Sequence, residues 1–186
     1  MKIKRDSIVL SIVLWFLTQA NYGMGQSMTP TTGPVFEDIG PVFSIDKLDY
    51  IPESSQQLKA IFDVDREQAD PGDSNPIISS LHRFYNMHAR YGVPAENIRL
   101  AFVLHGHSTK DALSNSKYKE TYQVDNPNIK LIKTLSDMGV DMFICGQSMS
   151  YHGYTKEDLL PEIKVALSAM TVLTTFQMDG YGMIKF

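Results

Sequence analysis

The segment Ile98–Leu104 (IRLAFVL) is apolar at every position except Arg99 and stops at His105-Gly106-His107. A strand with one face in water alternates polar and apolar residues. A run without that alternation reads as buried on both faces, as in a parallel sheet with helices on its sides. Leu58–Val64 (LKAIFDV) and Asp141–Cys145 (DMFIC) are two further strand candidates.

The stretches between them carry helical signals. Ile77, Leu81, Phe84, Tyr85 and His88 recur at helical spacing over 76–91, with Pro76 suited to the first position and Gly92-Val93-Pro94 as the break. A second helix is predicted over 109–118. A third, over 127–138, presents Ile129, Ile132 and Leu135 on one face and is closed by Gly139. After Cys145 the reading is a short helix at 155–160 with a weak capping box at Thr155, a strand at 164–167, a helix at 169–178 and a strand at 181–186. This alternation predicts an α/β sandwich around a mostly parallel sheet of about five strands. A chain of 186 residues, 43% hydrophobic, supports one such domain with extra segments.

The first extra segment is read as a signal peptide over residues 1–26. Lys2, Lys4 and Arg5 precede the apolar stretch 8–17 (IVLSIVLWFL), which is short for a membrane span, and the cut falls between Ala20 and Gln26. The mature protein is therefore expected to be exported, periplasmic or secreted, with no membrane attachment after cleavage. Residues 27–57, rich in Pro, Gly and Thr and carrying GPVF twice, read as an arm or linker with Val35, Phe36, Val42 and Phe43 pinned to the domain at 58–186.

Removal of residues 1–26 leaves 14 basic against 20 acidic residues, a formal charge of about −6. That balance argues against nucleic acid as a partner, because phosphate binding depends on Lys and Arg. No GxGxxG follows a strand, and neither a P-loop nor a Gly-x-Ser-x-Gly elbow is present, so nucleotide and serine-hydrolase readings lose their main support. No cofactor is predicted.

The chain has one cysteine, Cys145, placed where the strand ends and Gly146-Gln147-Ser148 begins. In an open parallel sheet the crevice lies at the carboxyl ends of the strands, so Asp63–Asp65, His105–His107 and Cys145–Ser148 should gather on one edge. Cys145 is the candidate nucleophile, with His105, Gly106, His107, Gly146, Gln147 and Ser148 as candidate binding residues. A nearby imidazolium or helix N-terminus would raise the thiolate fraction. In an extended segment His105 and His107 point to the same side, which also allows a metal reading with Cys145, but no compact ligand set accompanies them and no metal is predicted. Asp63, Asp65, Asp70 and Asp73 miss the calcium-loop pattern and read as a solvated loop. Met138, Met142, Met149, Met170, Met178 and Met183 read as core filler. Tyr151, His152 and Tyr154 read as a lid, a subunit contact or an ordinary amphipathic loop.

Residues 102–106 (FVLHG), the segment 139–148 (GVDMFICGQS) and the closing pattern 165–186 (VALSAMTVLTTFQMDGYGMIKF) resemble the DsrE/DsrF-like family over about residues 58–186. The resemblance implies a three-layer α/β/α fold, assembly into trimers or hexamers, and Cys145 as a persulfide carrier that exchanges sulfur with a donor or acceptor protein. This chain departs from the cytoplasmic relay members in its export signal and in a longer stretch at 109–126. The alternative is a non-catalytic oligomeric module that binds a small ligand or a protein, with Cys145 packed as a structural residue.

Overall fold

The computed structural model describes residues 29–66 and 68–186. The signal-peptide reading, 1–26, lies outside the described residues. Five strands, β1 (Leu58–Val64), β2 (Ile98–Leu104), β3 (Asp141–Cys145), β4 (Lys164–Ala166) and β5 (Gly182–Ile184), form one sheet in the order β4-β3-β2-β1-β5. Every pairing among them is parallel, where the sequence had suggested a mostly parallel sheet.

The strand order dictates which face each helix covers. From β1 to β4 the chain steps in one direction, so right-handed crossovers place α1 (Pro76–Arg90), α2 (Asn115–Tyr122) and α3 (Ile129–Asp137) on one face. From β4 to β5 it steps the opposite way, which sends α5 (Ala169–Met178) to the other face. The cores agree. Phe62, Leu100, Phe102, Leu104 and Ile144 pack with Leu81 and Tyr85 of α1 and Ile132 and Leu135 of α3. Ile61, Ala101, Val103 and Cys145 pack with Ala169 and Val172 of α5.

Two predicted helices take a different form. The stretch read as a helix over 109–118 begins instead as a 3-10 segment, Gly106–Ala112, followed by α2. Ser108 and Thr109 direct their hydroxyls to the carbonyls of Val64 and Gly106, which holds the chain in tight turns. The helix expected at 155–160 is a 3-10 turn, Lys156–Asp158. Its capping box is formed, since Asp158 accepts the Thr155 N–H at 2.8 Å, so the shorter Asp suffices in the tighter turn.

The arm lies on α1. Asn86, fully buried, accepts the N–H groups of Val35 and Phe36 and donates to the carbonyls of Phe36, Ile39 and Gly40, all at 2.9–3.0 Å. Arg90 donates to the carbonyls of Thr31, Thr32, Gly33 and Val42. Gly40 has φ +68° and sits so close to α1 that a Cβ there would lie 2.7 Å from the Arg83 backbone nitrogen. Phe36 and Val42 are buried as expected, whereas Phe43 is 46% exposed. Among the described residues no helix is long and apolar enough to cross a membrane.

Candidate functional site

The sheet register builds the site. Val103 of β2 pairs with Asp63 of β1 on one side and with Phe143 of β3 on the other. Side chains alternate across a strand, so two residues further on His105 and Cys145 emerge on the same face, the face that α5 covers, one row beyond Asp63. Asp63, His105 and Cys145, with Gln147, Ser168, Ala169, Met170 and Leu173, line a cavity of about 320 Å³ between the strand ends and the start of α5.

Cys145 is 5% exposed and precedes the short helix α4 (Gly146–Tyr151). Burial pushes its thiol pKa upward and is the largest single influence. Hydrogen bonds from the backbone and side chain of Ser148 and from the backbones of Ala169 and Gln147 together outweigh it, and the thiol lies below its usual value. Gly146 makes this approach feasible, because a Cβ there would lie 2.6 Å from the Ala166 carbonyl oxygen of β4.

Opposite the sulfur, His105 Nε2 meets Asp63 Oδ1 at 2.5 Å, and Lys185 Nζ donates to Asp63 Oδ2 at 2.8 Å and to Asp65 Oδ2 at 2.9 Å. The two carboxylates hold the Lys185 pKa up to about 12. Lys185 and Asp65 are partly exposed, whereas Asp63 is only 5% exposed. The reading of Asp63 as part of a solvated loop is therefore wrong: it ends a buried strand and is held by partners from two other chain segments. Lys185 was not singled out in the sequence. Its only signal was a cation directly after the last strand, 120 residues from Asp65.

The two histidines separate. His105 is extended, but Gly106 has φ +55° and opens the 3-10 turn, so His105 faces the Cys145 cavity while His107 faces a neighbouring one. The expectation that both point to one side fails because the strand ends between them. The second cavity, about 430 Å³, is lined by Gly106, His107, Gln147, Ser148, Tyr151 and His152. Ser148 Oγ accepts the Gly106 N–H at 3.1 Å, and His152 Nε2 lies 3.1 Å from the Gly106 carbonyl, tying the two loops together. Gln147 and Ser148 line this cavity as well as approaching Cys145, so the predicted binding residues gather around one loop pair. Among the described residues, no group of three or more His, Cys, Asp and Glu side chains is placed to hold a metal ion.

The apolar rim differs from expectation. Met142 is core, yet Met170, Met178 and Met183 are 76%, 80% and 47% exposed, so they are surface residues, with Leu167 exposed beside them. They escape burial because α5 alone covers its face of the sheet.

The model of the DsrE/DsrF-like family matches residues 59–186. None of the curated proteins matches the chain. Among solved structures, the protein of unknown function MTH1491 from Methanobacterium thermoautotrophicum is similar at a TM-score of 0.52 and 18% identity, over 69% of this chain and 99% of its own. That similarity concerns the fold.

Proposed function

Because the chain belongs to the DsrE/DsrF-like family, we propose that it is an exported sulfur carrier in which Cys145 takes up and hands on sulfane sulfur as a persulfide. The observation that carries this reading is the thiol itself, hydrogen-bonded by Ser148, Gln147 and Ala169 and placed on a cavity at the strand ends. A hydrogen-bonded thiolate is both the attacking and the leaving group of such an exchange. The Cys145 thiolate attacks the outer sulfur of a donor persulfide, RS–SH. A bond forms from Sγ to that sulfur as the RS–S bond breaks, and RS⁻ leaves with the bonding electron pair. An acceptor thiolate then attacks the same outer sulfur and Cys145 leaves as thiolate, with no net oxidation.

The exposed side of α5 supports an assembly. That side carries Thr171, Thr174, Thr175 and Gln177 but also Met170 and Met178, 76% and 80% exposed, and Leu167 and Met183 extend that apolar patch in the single chain. The proposed state is a homo-oligomer, trimer or hexamer, that covers this face and the rim of the Cys145 cavity. Light scattering at micromolar concentration should give a multiple of the chain mass; a monomer would remove this part of the proposal.

Intact-protein mass spectrometry after anaerobic incubation with polysulfide tests the chemistry. Wild type should gain one sulfur atom that a reductant removes, and Cys145→Ser should gain none. Loading that survives Cys145→Ser would sink the carrier reading. A wild type that neither loads nor reacts with alkylating agents would make the protein a binding module with a structural cysteine. In material exported by cells the same spectra read the amino terminus: a start between residues 20 and 26 supports cleavage, and retention of Met1 counts against it.

A further inference from the structure

The arm does more than lie against α1. Residues 43–52 have no regular structure, yet Phe43, Ile45, Leu48, Tyr50 and Ile51 are large, apolar and 41–80% exposed. These side chains do not fill the core. They form one wall of a cavity of about 400 Å³ whose other wall is α1, with Met87 and Tyr91, followed by Val93. The size falls within the range of small-molecule sites. The wall is held in place: Tyr91 Oη is hydrogen-bonded to both the N–H and the carbonyl of Ile45, and Arg90 and Asn86 fix the chain upstream.

A second cavity, about 360 Å³, continues along α1 to Phe62, Phe84, Ile184 and Phe186 at the β1–β5 edge. The two meet at Val42, Arg83 and Met87, which line both. Among the described residues, none that lines either one is acidic. Arg83 is exposed and its guanidinium has no hydrogen bond or ion pair among the described residues. The nearby His88 has Nδ1 hydrogen-bonded to the Phe84 carbonyl at 2.8 Å, and its ring lies tilted by 32° against Phe84 with centroids 4.0 Å apart. The result is a long apolar groove with one unpaired cation at its junction.

We propose that this groove binds a fatty-acid-class ligand, a linear acyl chain ending in a carboxylate, with Arg83 as the anion partner. Charge and shape decide the class. An apolar chain gains by leaving water in the larger cavity, and the single carboxylate at its end meets the single guanidinium at the junction, whose planar fork suits it. Among the described residues, the lining offers no acidic side chain to a cationic or zwitterionic head. The site is built partly by residues upstream of the family match at 59–186, and it is independent of Cys145.

Laurate below its micellar concentration is the probe, measured by calorimetry with the purified chain, with 1-dodecanol as the uncharged comparison. Saturable binding of one laurate per chain is expected. Arg83→Met should weaken laurate by about tenfold or more, the factor for a lost charge-assisted hydrogen bond, while leaving dodecanol unchanged. Met87→Trp, which fills the junction, should remove both. Arg83 and Met87 are exposed, and thermal unfolding near that of wild type would confirm that both variants fold. Absence of saturable laurate binding, or equal laurate affinity in wild type and Arg83→Met, would overturn the proposal. So would self-association that excludes laurate, since a second copy of the chain would then cover the groove.

Discussion

Asp111→Ala should lower the unfolding free energy by about 3–5 kcal/mol, a large share of the roughly 5–15 kcal/mol that holds a domain together. Asp111 is 2% exposed and lies at the centre of a buried polar cluster. Its Oδ2 accepts Asn75 Nδ2 at 2.7 Å, its Oδ1 accepts Asn128 Nδ2 at 3.1 Å, and its backbone carbonyl accepts Asn126 Nδ2 at 3.1 Å. The partners are themselves structural. Asn75 caps α1 by accepting the Ile77 N–H, and its own N–H donates to Asn128 Oδ1 at 2.7 Å. Truncation would remove one acceptor from each of two buried amides, leaving Asn75 Nδ2 with the Arg66 carbonyl and Asn128 Nδ2 with Asn126 Oδ1, at about 1–3 kcal/mol each, besides a void. Urea unfolding with an unchanged slope reads the loss directly. A loss below about 1 kcal/mol would show that water replaces the carboxylate and that the cluster is not dry.

Acid should also destabilise the fold, and one side chain sets the window. His82 is fully buried. Its Nε2 lies 2.8 Å from Thr134 Oγ1, and among the described residues its Nδ1 has no hydrogen-bond partner. Burial dominates and pushes its pKa down to about 4, against smaller raising influences from Ile78, Asp38 and Leu131. The folded pKa lies below the unfolded value of about 6.5, so the unfolded chain binds the proton more readily. Stability is therefore full above pH 6.5 and falls as the pH drops towards 4, by about 3 kcal/mol for a shift of this size. Urea midpoints at pH 7.5 and 4.5 should differ accordingly in wild type, and His82→Gln should remove most of the difference. Equal pH dependence in the two proteins would assign acid sensitivity elsewhere. Because the His82 ring packs 4.6 Å from Phe36 of the arm, the arm should loosen first, visible as earlier proteolysis within 29–57.

The parts legible in the sequence are those where side-chain pattern and backbone need coincide. Residues 58–64, 98–104 and 141–145 advertise buried strands through their lack of polar alternation, and the observed strands match them. Once the strands are parallel, the gathering of Asp63, His105 and Cys145 follows from register alone. Other features depend on partners distant in sequence. Asn86 and Arg90 resemble ordinary polar residues of a surface helix until the arm's carbonyls and N–H groups arrive from about 50 residues upstream. Lys185 shows locally only as a cation after the last strand, because its partners are 120 or more residues away. Residues 109–112 read as the start of a helix because their polar side chains look solvated, whereas Ser108, Thr109 and Asp111 are buried and satisfied within the protein.

The place of β5 has a consequence for the order in which the molecule can be finished. It follows β4 in the chain but lies at the opposite side of the sheet, against β1, and Lys185 comes just after it. As the chain emerges residue by residue, β1 to β4 can associate while one edge of β1 stays unpaired and the Asp63 and Asp65 charges stay uncompensated by Lys185. The thiol cavity has its full electrostatic frame only once β5 has docked on β1, the pairing that closes the longest loop in the sheet. Until that step β1 presents an open, apolar edge, and a binding partner that shields this edge would keep it from pairing with other chains.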